Sequence, residues 1–380
     1  MGNVARGCRP LLRLGLALAL ACVGCAGPQL TAWPGDNPLD GLGPAAAADV
    51  RSARSLLDEG DTLGGLRRLR EAHASHPEHV PVSVALQDAQ LEHLGRGEEL
   101  EALAAWLDAN PDRRDADPAR ELWSWYLSRS RKSEQPLDRL LTARLEPDRA
   151  GALFQLEKLA AERPDDPWAL LGLAHARLAV GDAKGAQEAI DRSLSLEPAN
   201  ARARRLEALV LARRGELDLS VDALERWLRR TEEHPFVGDR ERDTVRLDLA
   251  AAQLEVGRAR QARRVLNELI DEPRFDRLSA DMRGDAYLLR SAAFADGGKY
   301  RDALADAQRA AYELPDGLMA VEQRAILLEY RLDDSAGALE AWREVEAIAD
   351  ASGAGLRAYL FALRARVEQA RLEGWEPARP

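Results

Sequence analysis

The feature that most constrains the fold is a repeat of 34 residues that recurs along most of the 380-residue chain. Gly181 separates two apolar stretches, and an equivalent glycine returns 34 residues later at Gly215. Pro164 and Pro198 have the same separation. Self-similarity at such a period is typical of stacked units, none of which buries its apolar face alone. The sequence therefore predicts an array of repeats rather than one globular core.

The clearest unit spans residues 167–200 and consists of two stretches with helical periodicity. Small or apolar side chains fall on one face of each stretch: Leu170, Leu173, Ala174 and Leu178, then Ala186, Ala189, Ile190, Ser193 and Leu194. Gly181 suits the left-handed turn that ends the first helix, and Pro198 stops the second. With small residues at Ala174 and Ala186, where two helices cross closely, this spacing resembles the tetratricopeptide repeat.

The same phase predicts eight units along the chain. Their equivalent first positions are Ala46, Val80, Ser133, Pro167, Ala201, Asp243, Gly284 and Met319. The spacing departs from 34 at residues 114–132, 235–242 and 277–283. The resemblance implies an all-α fold, a solenoid of tetratricopeptide-type helical hairpins with about eight repeats.

The end of the array is predicted to be a capping helix over residues 355–373. Its apolar positions Leu356, Leu360, Leu363 and Val367 share one face, and terminal repeats need a cap that covers the last open face. The predicted domain organisation is the following: signal peptide 1–24, linker 25–45, repeats 46–113, irregular helical insert 114–132, repeats 133–351, and capping helix with tail 352–380.

Composition agrees with helices and argues against nucleic-acid binding. Hydrophobic residues make up 46% of the chain but aromatic residues only 5%, which favours Ala- and Leu-rich helices over sheets. The formal net charge is -11. Because no segment concentrates Lys or Arg, such a surface repels a phosphate backbone.

The N-terminus has the features of a cleaved export signal. Arg6, Arg9 and Arg13 precede a short apolar run over residues 14–23, and this run is about half of the ~20 residues that a membrane-spanning helix needs. The run ends in Val-Gly-Cys-Ala at residues 23–26. This ending resembles the lipobox of bacterial lipoproteins, which implies lipidation of Cys25.

The cysteines are consistent with this interpretation. The only three are Cys8, Cys22 and Cys25; Cys22 is an alternative acceptor, because it follows a similar apolar run. Cleavage before Cys25 removes three Arg and no acidic residue, so the charge becomes -11 - 3 = -14. An exported chain without disulfides is stabilised by packing alone. Residues 26–45 are rich in Gly and Pro and predict a flexible tether.

The lipoprotein resemblance also implies a location. Ala26 follows Cys25, whereas enteric bacteria retain lipoproteins in the inner membrane by an Asp at this position. An outer-membrane anchor facing the periplasm is therefore expected. Bacterial lipoproteins with such repeats commonly assist the assembly of envelope machines, such as secretion, pilus or polysaccharide-export systems. This resemblance implies a scaffold for other proteins or peptides, with no small-molecule substrate.

No catalytic motif is recognisable in the sequence, which contains neither a phosphate-binding loop nor a dinucleotide fingerprint. His73, His76 and His79 lie near Glu71 and raise the question of a metal site. Pro77 ends the helix there, so ordinary capping is the favoured interpretation and no metal or cofactor is expected. The alternative to a scaffold is an envelope enzyme of α/α type, such as a carbohydrate-active hydrolase, which needs carboxylates around one deep cavity.

The resemblance places a binding surface on the first helix of each unit. The candidate positions for a partner-binding groove are Trp168, Leu171, His175, Arg202, Arg205 and Arg213. A run of arginines beside Trp168 suits an acidic or extended peptide. Ordinary solvent-exposed helix faces remain the alternative. Trp106, Trp227 and Trp342 are predicted to pack in the core instead.

Overall fold

A computed structural model describes residues 38–95, 124, 127, 135–351 and 356–374. Within these ranges, the side chains of residues 93–95 and 356–357 are not described. The predicted signal peptide, Cys25 and the insert at 114–132 (apart from residues 124 and 127) lie outside the described residues, as does most of the tether. The fold below refers to the described ranges.

The described chain is a succession of α-helices joined by short turns. The helices are α1 Pro44–Glu59, α2 Thr62–Ser75, α3 Val80–Gly95, α4 Pro136–Ala143, α5 Arg149–Glu162, α6 Pro167–Ala179, α7 Ala183–Leu196, α8 Ala201–Arg213, α9 Leu217–Arg230, α10 Asp239–Glu255, α11 Ala259–Ile270, α12 Ala280–Asp296, α13 Tyr300–Glu313, α14 Leu318–Arg331, α15 Ser335–Ala351 and α16 Leu356–Leu372, with one 3₁₀ turn at Phe275–Arg277. None of these helices is both long and apolar enough to cross a membrane. The described ranges contain no strand, so the predicted all-α hairpin fold is confirmed.

The hairpin of α6 and α7 shows why the sequence folds this way locally. The Asp166 carboxylate accepts hydrogen bonds from the backbone at the start of α6, and Pro167 occupies the first turn. Gly181 has a φ of 89°, in the left-handed region that glycine adopts without steric cost. Asp182 then caps α7, accepting from Gly185 N at 2.8 Å. The capping aspartates, Pro167 and Gly181 therefore begin and end these helices as their residue types predict.

The core lies between successive helices and consists mainly of Leu and Ala. All the apolar positions predicted for residues 167–200 are buried, and Ala174 and Ala186 have no exposed surface. Larger side chains at these two positions would push the helices apart. Trp227 and Trp342 are also fully buried, as predicted, whereas Trp106 lies outside the described residues. The indole of Trp227 donates to Ala201 O at 2.8 Å.

The described residues form two compact units that divide between Arg242 and Asp243, near the start of α10. The N-terminal unit (residues 38–242) contains α1 to α9. The C-terminal unit (residues 243–374) contains most of α10 and continues through α16. Each unit has its own buried apolar clusters.

Two first helices begin one turn earlier than the repeat spacing predicts. The sequence places these starts at Asp243 and Gly284, whereas α10 begins at Asp239 and α12 at Ala280. Both helices have 17 residues, compared with 13 in α6. Four of the additional residues in each long connection therefore extend a helix. The hydrophobic period did not detect this extension, because the added turns contain few large apolar residues: Asp-Arg-Glu-Arg at 239–242 and Ala-Asp-Met-Arg at 280–283.

The N-terminal unit closes on its own first helix. Arg54 of α1 donates to the carbonyls of His234 and Glu232 at 2.9 and 2.8 Å. Asp58 accepts from Asp239 N at 2.7 Å, and Phe236 packs against an apolar cluster that includes Val50. In a simple repeat array each unit contacts only its neighbours. Here residues about 180 positions apart are in contact, so the first helix is not an open end.

The last helix has a different exposure from the one predicted. Its buried face consists of Ala358, Ala362 and Ala365, which lie toward α15. Leu360, Leu363 and Val367, predicted to cover the array, are exposed instead. The side chain of Leu356 is not described. The alanine face, rather than the leucine face, packs against α15 because small side chains allow a closer approach of two helices.

Candidate functional site

The charged side chains of several first helices meet on one surface of the N-terminal unit. Asp88 of α3 accepts from Arg202 of α8 at 2.6 Å and from Arg144, which follows α4, at 3.0 Å. Arg144 also bonds Gln87. These contacts bring together three hairpins that are not all neighbours in the chain. We call this region, with the residues described next, the first-helix surface.

Two further ion pairs extend the first-helix surface to the beginning of α10. Arg205 donates to Glu241 at 3.0 Å, and Arg240 donates to Glu92 at 2.9 Å. Since Glu92 lies on α3 and Arg205 on α8, the surface is ringed by paired charges from both ends of the unit. Partly exposed pairs such as these contribute little to stability one at a time.

His175 of α6 lies among these charges and remains accessible to solvent. Its enclosure by the surrounding helices, followed by the positive charges of Arg144, Arg205 and Arg202, lowers the pKa of His175 to about 4. The ring is therefore neutral at physiological pH, with a donor and an acceptor nitrogen. The surface around it presents three guanidinium groups.

Asp88 has a pKa below its ordinary value. Burial alone would raise the pKa, but the charges of Arg202 and Arg144 outweigh that effect. The carboxylate is thus ionised and shared between two arginines. Guanidinium groups in this arrangement have the geometry to hold a carboxylate, and here the chain's own Asp88 occupies the position.

The structure assigns different environments to the predicted groove residues. His175, Arg202 and Arg205 meet on the first-helix surface. Trp168 is half-buried and packs against the core, and Leu171 is a buried member of that core. Arg213 is exposed at the end of α8. A partner role for all six residues stays a prediction, but Leu171 is inaccessible in this structure.

The sequence did not identify Asp88, Arg144 and Glu241 as parts of this surface. They are separated by more than 50 residues from one another, and the repeat period gives no information about contacts between non-neighbouring units. The sequence offered one weak indication that these residues belong to the surface: each of the three residues lies in or beside the first helix of a unit. Only the contacts within the folded N-terminal unit show that they meet.

The histidine-rich turn after α2 contacts the residues just before α1. His76 Nε2 lies 3.3 Å from Gly43 N, and His79 Nε2 lies 3.2 Å from Asp40 O. His73 bonds Ser83 at 3.1 Å. These rings make ordinary hydrogen bonds to the backbone and to a hydroxyl. Among the described residues, no group of three His, Cys, Asp or Glu is placed to hold a metal ion.

The successive hairpins define the class of protein as a helical-repeat array. A model of the tetratricopeptide repeat family matches residues 144–210, which cover α5, α6, α7 and most of α8. Residues 144–210 therefore match tetratricopeptide repeats in sequence, and the rest of the described chain is similar to them in fold.

One solved structure supports this fold, and two others are more weakly similar to the chain. The Cut9–Hcn1 hetero-tetramer of APC/C matches with a TM-score of 0.55 and 13% identity, covering 83% of this chain and 53% of that chain. A tetratricopeptide repeat protein from Parabacteroides merdae has a TM-score of 0.43 and 16% identity, covering 75% and 100%. Yeast Tom70 has a TM-score of 0.45 and 13% identity, covering 95% and 72%. The comparison with curated proteins gives no match.

Proposed function

We propose that the chain is a non-catalytic scaffold that binds other proteins, and that the first-helix surface of the N-terminal unit contacts them. The observation that carries the proposal is the convergence of Arg144, Arg202 and Arg205 around the solvent-accessible His175. Arginine clusters recognise acidic segments, because each guanidinium presents several donors in a fixed geometry. An acidic or extended segment of a partner protein is the ligand that this chemistry favours.

Asp88 has a specific role in this proposal. It occupies the position between Arg144 and Arg202 that a partner carboxylate would take. A partner therefore competes with an internal carboxylate, which lowers its affinity but selects for acidic groups. Removing the Asp88 carboxylate is expected to strengthen partner binding, and reversing the charge at Arg202 is expected to weaken it.

Paired variants test the proposed surface. The intact protein is crosslinked in its native host, and its partners are identified and then measured against purified variants. Asp88→Ala should strengthen partner binding and Arg202→Glu should weaken it, each by about tenfold. Arg229→Glu is the matched control, because Arg229 is exposed on the second helix α9. Equal effects of Arg202→Glu and Arg229→Glu would reject the first-helix surface.

We also propose that the protein is anchored through a lipid on Cys25, on the periplasmic side of the outer membrane, and assists assembly of an envelope complex. The support is the lipobox-like ending at residues 23–26 and the export-like run before it. A diacylated or triacylated cysteine anchors stably, whereas one chain binds reversibly. Residues 26–37 of the predicted tether would hold the repeats away from the bilayer, because the segment that follows is already packed, with Leu39 buried against the first helix.

Fractionation tests the anchor, with the neighbouring cysteine as the control. Cys25→Ser should move the protein from the membrane to the soluble fraction, while Cys22→Ser should leave it in the membrane. The reverse pattern would assign the lipid to Cys22. Retention of both variants and of the double variant in the membrane would remove the lipid anchor from the proposal.

A further inference from the structure

The last helix exposes a row of large apolar side chains. Tyr359, Leu360, Leu363 and Val367 are 58%, 53%, 44% and 46% exposed. Leu360, Leu363 and Val367 lie three and four residues apart and Tyr359 is four before Leu363, so the four form one stripe on the face opposite the buried alanines. We call these four residues the α16 stripe.

The described helices leave this stripe uncovered. A helix face that has no partner is normally polar. Scattered exposed apolar residues need no explanation, but contiguous ones mark interaction surfaces. The α16 stripe has the spacing of a helix face that packs against another helix.

The charges beside the stripe are compensated within the chain. Arg364 bonds Glu322 at 2.5 Å, and Arg366 bonds Glu346 at 2.6 Å. Arg371 contacts Glu329 and Glu368. Helices that lie on anionic membranes combine an apolar face with cations that attract headgroups. Carboxylates already pair with these arginines, so the surroundings of the stripe favour an apolar and electrically balanced partner surface over an anionic bilayer.

The α16 stripe is itself a surface of that kind, and its spacing is nearly symmetric. Leu363 lies in the middle, three residues after Leu360 and four before Val367. We propose that two copies of the chain associate through α16, with the two helices antiparallel. A two-fold axis near Leu363 then places Leu360 against Val367 of the second copy. An isologous contact of this type closes and gives a dimer.

The strength of the dimer follows from its size and charge. Four half-exposed side chains bury much less than the roughly 800 Å² per partner of a standard interface, so the dimer is weak and depends on concentration. Each copy carries a net charge of -11, and like-charged copies repel each other. Salt screens that repulsion without weakening an apolar contact, so added salt should strengthen the dimer.

Sedimentation equilibrium of the full chain carrying Cys25→Ser tests the proposal. We expect a reversible monomer–dimer equilibrium that shifts toward dimer with salt. Leu360→Glu with Leu363→Glu should raise the dissociation constant about tenfold or more, with an unchanged melting temperature. Leu63→Glu with Leu219→Glu is the matched control, because both leucines are exposed on other helices. It should leave the equilibrium unchanged.

Disulfide crosslinking tests the geometry without depending on the glutamate variants. In a chain with Ser at positions 8, 22 and 25, Leu363→Cys should form a covalent dimer on oxidation. A mixture of Leu360→Cys and Val367→Cys chains should crosslink to each other faster than either crosslinks to itself. A monomer at all concentrations and salts overturns the proposal. The proposal is also overturned if the chain does not self-associate but binds anionic vesicles through the α16 stripe.

Discussion

The two ends of the described array are finished in different ways. At the beginning, α1 is held by hydrogen bonds from Arg54 to the connection after α9, and Phe236 packs nearby. At the end, α16 packs through alanines and leaves the α16 stripe exposed. The repeats between them have the same Leu- and Ala-rich interior. The period of a repeat therefore determines the interior, while each end is determined by its own side chains.

This difference matches the two roles that we propose for the chain. The closed N-terminal unit brings charges from distant hairpins together on the first-helix surface, which suits selective recognition. The open face of α16 is apolar and small, which suits weak association. A polar surface and an apolar surface on one chain respond oppositely to salt, and that contrast is measurable.

The largest expected effect concerns the interiors, which should be alike in the two units. Trp227→Ala and Trp342→Ala each remove a fully buried indole, and each should lower the free energy of unfolding by about 3–5 kcal/mol. Denaturant unfolding measures both losses, and Trp227→Phe serves as a milder control. A loss below about 1 kcal/mol for either one would show that its repeat is not packed as described.

The second effect should distinguish the two units by pH. All six histidines precede Asp243, and burial is the main cause that lowers the pKa of His234 to about 4. In the unfolded chain this histidine has its ordinary pKa of 6.5, so below pH 6.5 the unfolded state binds more protons than the folded state. The contribution of His234 to the free energy of unfolding is therefore complete above pH 6.5 and falls as the pH drops toward 4. His234 alone should account for a loss on the order of 2 kcal/mol.

Hydrogen exchange read separately for each unit measures this pH effect. The N-terminal unit should lose protection between pH 7 and pH 4.5, and His234→Gln should reduce that loss. The C-terminal unit has no histidine and should lose less over the same range. A pH dependence that His234→Gln leaves unchanged would contradict the assignment to this residue.

The smallest effect tests the closure of the N-terminal unit. Arg54→Met removes two charged hydrogen bonds to the carbonyls of Glu232 and His234 and should cost about 1–2 kcal/mol, because the site is partly solvated. Exchange protection in α1 should fall. Arg51→Met, an exposed position on the same helix, is the control. If both variants behave alike, the contacts between α1 and residues 232–239 do not stabilise the unit.

Most of the fold was predictable from local sequence, because each hairpin has its own turn and packing signals. Gly181 has the expected left-handed conformation, and Ala174 and Ala186 are buried at helix crossings. The exposure of Leu360 was not predictable, since periodicity identifies an apolar face without saying which face has a partner. For the same reason, Arg202 was a candidate from its position, but its bond to Asp88 required the three-dimensional structure.

Site-specific photocrosslinking in the native host tests the central claim most directly. A photoreactive residue replaces His175 on the first-helix surface, and a second chain carries it at Lys184, which is exposed on the second helix α7. We predict that position 175 forms a defined adduct with another protein and that position 184 does not. Adducts of equal yield at both positions, or none at position 175, would contradict recognition by this surface.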